Sequence, residues 1–227
     1  MKKTTAILNA ILIAATLISD ICYYQFGGLL LKGITSFGFV LIAAVNLIYA
    51  IRAKADAAKF PVVMTVGLVL CMVADIVLNI SFIPGALIFA AGHVFYFISY
   101  CRLAKFKATD TIPSVIIFAA SAALITLVPI FDFGSMLMEI ICLGYALVIS
   151  LMVGKAVSNL IGERNKVNAI LAAGSVMFYF SDLMLLFNVF AGAPKITDTL
   201  CLFTYYPAQC LLAYSIFQFA NDTTVEN

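Results

Sequence analysis

Charge is what this sequence has least of. Of 227 residues, 13 are Lys or Arg, 11 are Asp or Glu, and one is His. Charged residues make up 11%, against about 25% in an average soluble domain, while apolar residues reach 64% and mean hydropathy is +1.13. So little charge excludes an ordinary soluble globule, a disordered chain and a nucleic-acid binder. The lone histidine, His93, argues against a His-rich zinc site, since three protein ligands and an open position are the usual catalytic minimum. Cys22, Cys71, Cys101, Cys142, Cys201 and Cys210 lie within or at the ends of apolar runs and have no C-x-x-C spacing. They read as small packing residues, not as a metal site or a disulfide framework. There is no G-x-S-x-G elbow, Walker motif or dinucleotide fingerprint. No cofactor and no metal are expected.

What the sequence has in abundance is long apolar runs. A bilayer core about 30 Å thick needs about 20 apolar residues per helix. Eight runs meet that length: 4–24, 28–51, 61–80, 84–103, 112–130, 133–156, 167–190 and 198–219. They are continuous and lack the alternation of lipid-facing strands, so they read as helices. The expected fold is all-α, a polytopic bundle of eight transmembrane helices forming one integral membrane domain. Pro61, Pro84 and Pro113 open spans, where a missing N–H is harmless. Gly27, Gly28, Pro129, Gly134 and the stretch Ala191 to Pro194 mark turns. Pro207 falls inside the eighth span and is expected to kink it.

The cations give an orientation. Lys2 and Lys3 precede the first span. Arg52, Lys54 and Lys59 follow the second, Arg102, Lys105 and Lys107 the fourth, and Lys155, Arg164 and Lys166 the sixth, 11 in all on one side. Lys195 alone lies on the other side, and Lys32 lies within a span. The positive-inside rule then makes the basic side cytoplasmic, with both termini there, in a multi-pass protein of the cell membrane. The stretch from Met1 to Ser19 looks like a signal peptide, but no A-x-A site follows and the apolar run continues to Tyr24. It is read as a retained span.

The chain also repeats itself. Gly67 stands eight residues before Asp75, and Gly174 eight before Asp182. Lys32 precedes Asp75 by 43 residues, as Glu139 precedes Asp182. This predicts two four-span halves, inserted the same way because four is even, in which 28–103 would superpose on 133–219.

Ionisable groups inside spans are costly and usually face the bundle interior or a cavity. Here they are Asp20, Lys32, Asp75, His93, Glu139 and Asp182. On the topology above nearly all of them fall in the outer half of the membrane, which predicts one polar cavity there. Helical spacing adds neighbours. Asn79 is one turn beyond Asp75; Thr35 and Ser36 share a face with Lys32; Tyr96 and Tyr100 share one with His93. Tyr205, Tyr206 and Gln209 line part of the eighth span, and Tyr179 is one turn before Asp182. Plainer roles are open for each. Asp75 could form a structural ion pair with Lys32. His93 could bond a backbone carbonyl. Asp20 and Glu139 could face solvent near span ends, the tyrosines could be belt or packing residues, and Asn79 could cap a helix or bridge two.

Two carboxylic acids in a low-dielectric cavity can be driven to different protonation states, one serving as acid and the other as base. Such a pair suits hydrolysis through an oxocarbenium-like cation. Several segments then carry a likeness: Lys32 opening the second span, Gly67 to Leu78 around Asp75, Gly92-His93 to Tyr96, Phe180 to Leu183 around Asp182, and Tyr206 to Ala213 around Gln209. In order and spacing, over residues 28–219, the chain resembles the YhhN family of lysoplasmalogenase-like membrane proteins. It departs from the family pattern at Ala74, where Gly is expected.

The resemblance implies a hydrolase that cleaves the vinyl-ether bond of a lysoplasmalogen or related lysolipid, releasing fatty aldehyde and a glycerophospho-base. It places the two catalytic aspartates at Asp75 and Asp182. Lys32, Asn79, His93, Tyr96, Tyr206 and Gln209 are the candidate substrate-binding groups. The expected partners are a membrane lipid substrate and the bilayer. A transporter with a charged intramembrane site is the rival reading, since internal repeats and intramembrane charges also mark transporters. A blind pocket would favour the enzyme, and a path toward either face the transporter.

Overall fold

Proline and glycine set the helix boundaries. The computed structural model describes residues 2–53 and 59–225, and among them it contains eight long helices and no strand. They are α1 (Lys2–Phe26), α2 (Leu29–Arg52), α3 (Lys59–Leu78), α4 (Phe82–Leu103), α5 (Thr111–Leu127), α6 (Met136–Gly162), α7 (Lys166–Phe190) and α8 (Ile196–Val225). All eight are long and apolar enough to cross a membrane, which makes this a multi-pass membrane protein. Pro61, Pro84 and Pro113 each occupy the third residue of their helix, inside the first turn, where no intrahelical N–H bond is lost. The α1–α2 link is Gly27-Gly28, with φ of 67° and 94°, a left-handed pair that side-chain-bearing residues adopt only with strain. α8 runs through Pro207 as a single helix.

Boundaries agree with the apolar runs to within three residues, except at the basic ends of α6 and α8, each six residues longer than its run. For α6 the reason is visible at Lys155. Read from the sequence as a cation following the sixth span, it lies inside α6 and is 1% exposed. Its Nζ donates to Asp110 Oδ2 at 2.6 Å and to the Lys105 carbonyl at 3.2 Å. Asp110 also accepts from Ser158 Oγ and, at 2.9 Å, from the Lys107 backbone N–H. A neutralised lysine lets the helix continue where apolar sequence stops. Of the other basic-side residues, Met1 and Lys54 lie outside the described residues.

Neighbouring helices pair as α1 with α2, α3 with α4, α5 with α6 and α7 with α8. α2 also packs on α3, α6 on α7, α2 on α8 and α4 on α6. α8 is the most buried helix, while α1 and α5 are peripheral. Glycines allow the closest approaches. A Cβ on Gly67 would meet the Tyr96 ring at 2.6 Å, and one on Gly92 would meet Cys71 Sγ at 2.9 Å, which brings α3 and α4 together. Gly174 does the same between α7 and α8, where a Cβ would meet Leu212 at 2.9 Å.

Candidate functional site

Two polar clusters form in the half of the bundle away from the basic end. Each is built on one aspartate, whose carboxylate draws its own partners from two neighbouring helices.

The first centres on Asp75, near the end of α3. Its Oδ2 accepts from Ser36 Oγ of α2 at 2.6 Å and from Tyr205 OH of α8 at 2.8 Å. Lys32 Nζ stands 4.0 Å from Oδ1, an ion pair without a close hydrogen bond. Behind Tyr205 the network continues: Tyr96 OH donates to Gln209 Oε1 at 2.8 Å, and Gln209 Nε2 donates to Tyr205 OH at 3.1 Å. Tyr206 OH lies 3.4 Å from Ser36 Oγ, whose own hydrogen goes to Asp75. Every hydrogen in the chain therefore points toward the Asp75 carboxylate. Tyr96, Tyr206 and Gln209 are fully buried, and a buried polar network of this kind is stable only because each member is satisfied. Asn79 stands apart: it is exposed, and its amide donates to the Asp75 backbone carbonyl at 2.7 Å, not to the carboxylate.

The second cluster centres on Asp182 of α7. Tyr145 OH of α6 donates to Asp182 Oδ2 at 2.6 Å. His93 Nε2 of α4 lies 2.8 Å from Tyr145 OH and 3.3 Å from Asp182 Oδ2. Since the tyrosine hydrogen is spent on the carboxylate, His93 must carry its hydrogen on Nε2. His93 Nδ1 is buried without a partner. The ring is held edge-on by Phe178 at 4.7 Å and by Tyr145 at 5.3 Å.

The single polar cavity expected from the sequence is divided. The Phe178 ring packs against both Tyr205, at 5.2 Å, and His93, at 4.7 Å, and the His93 ring lies 6.3 Å from that of Tyr96, so the two clusters meet through aromatic rings and not through a shared polar space. Only Asp182 and Tyr145 of the two clusters line a cavity of about 90 Å³ between α4, α5, α6 and α7, with Leu78 of α3 also in its wall. Its walls are otherwise almost wholly apolar, with Phe82, Phe89, Ile125 and Leu186 among them, relieved by Tyr179 and Ser121. The Asp182 side chain is 13% exposed and that of Asp75 3%. Among the described residues, no three His, Cys, Asp or Glu side chains come together as a metal site. Glu139, in the first turn of α6, lies outside both clusters, and Asp20 of α1 is buried with Oδ1 unpartnered.

Sequence reasoning missed Tyr145 altogether and gave Tyr205 and Ser36 no role as carboxylate partners. Tyr145 carries no charge to draw attention within an aliphatic run. Its one signal is position, halfway along a helix where a belt tyrosine has no reason to be.

Fold and site together define a class: a polytopic helical membrane protein with two hydrogen-bonded acidic centres inside the bundle, one of them open to an apolar cavity. The chain belongs to the YhhN family, whose model matches residues 29–216. No curated protein and no solved structure gives a significant match.

Proposed function

We propose that this protein hydrolyses the vinyl-ether bond of a lysoplasmalogen or a related lysolipid in the cell membrane, with both termini cytoplasmic and the site in the outer half. One observation carries the reading. The Asp182 carboxyl, held by Tyr145 and His93, is set into the wall of an otherwise apolar cavity. Membership of the YhhN family supports it.

The chemistry needs one acid in a greasy site. Asp182 in its protonated form gives its proton to the β-carbon of the vinyl ether, leaving an oxocarbenium ion beside the new carboxylate. That carboxylate stabilises the cation, then takes a proton from the water that adds to it. The hemiacetal formed collapses to aldehyde and glycerophospho-base, and Asp182 is again an acid. General acid-base help of this sort is worth about 10²–10⁴-fold. Tyr145 and His93 hold the carboxyl in place. Asp75 acts from behind the aromatic layer: it fixes Tyr205 and keeps Lys32 near the end of α2, where a lysolipid phosphate would meet it.

The cavity also bears on the transporter reading. None of its lining residues is shared with the polar cavity at the basic end, which Lys105, Lys155 and Asn168 help to line. Two cavities with no lining residue in common suit an enzyme better than a path from face to face. The test is reconstitution with a lysoplasmalogen and an assay for aldehyde release. Wild-type turnover should fall at least about 100-fold in Asp182→Asn. Turnover that survives in that variant overturns the mechanism, and the absence of aldehyde from wild-type protein with any lysolipid overturns the activity.

A further inference from the structure

The apolar cavity contains a second polar feature that the proposed chemistry leaves unused. Ser121 Oγ of α5 donates to the Ile117 carbonyl at 2.9 Å, so its only hydrogen is spent. Tyr179 OH of α7 lies 2.7 Å from Ser121 Oγ and must be the donor in that contact. Both residues line the cavity. Each oxygen therefore keeps an acceptor lone pair, and neither keeps a hydrogen. Tyr145, the other hydroxyl on the wall, has given its hydrogen to Asp182. Cys142 adds only a thiol, a weak donor. Apart from Asp182 itself, the cavity thus offers a ligand acceptors and no strong donor.

We infer that the Tyr179–Ser121 pair is a specificity element that reads a free hydroxyl on the ligand. A ligand hydroxyl donates to the pair, whereas an ether or ester oxygen at the same place brings acceptor against acceptor and leaves both unpaired. Tyr179 lies three residues from Asp182, about 4.5 Å along the helix axis. In a single-chain glycerolipid the free hydroxyl is only a few bonds from the ether carbon that reacts. The pair therefore selects a lipid with one apolar chain and an unmodified neighbouring hydroxyl, and rejects its O-alkylated or O-acylated counterpart. This rests on the lipid-hydrolase reading for the choice of ligand, but not for its test.

The test is binding without turnover. The full-length protein in nanodiscs is titrated with a saturated, non-hydrolysable alkyl-ether lysolipid carrying the free hydroxyl, and with the same lipid methylated at that oxygen. Wild-type protein should bind the free-hydroxyl lipid about 3- to 10-fold more tightly, the worth of one neutral hydrogen bond. Tyr179→Phe should narrow that ratio, and Tyr179→Phe with Ser121→Ala should bring it to about one while the methylated lipid binds as before. Helical content by circular dichroism and elution as a single species certify the variants. Equal binding of the two lipids by wild type overturns the inference, as does a ratio unchanged in the double variant. Because no bond is cleaved, a preference for the free hydroxyl would stand even if no aldehyde were ever released. If neither lipid binds, both the inference and the lipid reading fall.

Discussion

Asp75 and Asp182 sit in different surroundings, so the same substitution asks different questions of them. Asp182 faces the cavity, and its carboxyl is the atom set expected to meet substrate. Asp75 is closed in by Ser36, Tyr205 and Lys32. Asp75→Asn should therefore act mainly on KM, by releasing Lys32 and Tyr205, while Asp182→Asn should act on kcat; steady-state kinetics with a lysolipid series separates the two. Tyr145→Phe removes the hydrogen bond that stabilises the carboxylate left when Asp182 gives up its proton, worth about 1.5–3 kcal/mol, and should lower kcat about 10- to 100-fold with little change in helical content. The aspartates and His93 were legible in the sequence because an ionisable group in an apolar run stands out. Tyr145 was not, since a hydroxyl gains its meaning only from what it touches. Lys155 was misread for the opposite reason: its charge was obvious, but its partner Asp110 lies 45 residues away in a segment that reads as the start of a span. Breaking that buried pair should cost about 3–5 kcal/mol, because it strands a charge. Lys155→Met and Asp110→Asn should each lower the thermal midpoint in detergent, and the double variant should recover most of the loss.

The helices explain why glycine recurs before each aspartate. Gly67 lets α3 meet α4, and Gly174 lets α7 meet α8, each about two turns before the acid. Among membrane helices, small residues let backbones approach where no hydrophobic force drives them together. The two sites are not equally tight. Each faces a backbone carbonyl, Gly92 at 3.2 Å from Gly67 and Ala208 at 3.3 Å from Gly174, but beyond Gly67 stands the rigid ring of Tyr96 at 2.6 Å, and beyond Gly174 the end of Leu212 at 2.9 Å. Gly67→Ala should displace Tyr96 from Gln209 and cost about 1–3 kcal/mol, the usual range for overpacking. Gly174→Ala should cost less, a difference that parallel thermal melts would show. The packing order carries the same pattern: α2 on α3 and α8 is matched by α6 on α7 and α4. Each aspartate accordingly takes its partners from corresponding helices, Asp75 from α2 and α8, Asp182 from α6 and α4. We propose that the halves 28–103 and 133–219 are a structural repeat. Superposing α2–α4 on α6–α8 should lay Asp75 over Asp182, and a fit that leaves the two on different helix faces ends the proposal. The number and order of helices could be read from apolar run length alone. The partition of the polar groups into two clusters could not, because the Phe178 ring that packs between Tyr205 and His93 comes from α7, far in sequence from His93 of α4.

For the molecule as a whole, the distribution of charge bears on what each face meets. Exposed Arg102, Lys105, Lys107, Arg164 and Lys166 crowd the basic end, and Lys195 is exposed in the α7–α8 turn at the other. A cation near the cytoplasmic leaflet is held there by anionic lipid at about 1 kcal/mol each, and with Lys2, Lys3, Arg52 and Lys59 also exposed at the basic end, nine described cations there against one at the other favour the proposed orientation. Orientation matters to the proposed reaction, because the cavity opens among residues of the Lys195 half and the enzyme would draw lysolipid from that leaflet. The prediction is a labelling pattern. Lys195→Cys should react with a membrane-impermeant maleimide in intact cells, whereas Arg164→Cys should react only after the membrane is opened. The six native cysteines are buried or half-buried, and unsubstituted protein sets the background. Labelling of Arg164→Cys in intact cells would invert the topology, place both termini outside, and move the proposed hydrolysis to the cytoplasmic leaflet.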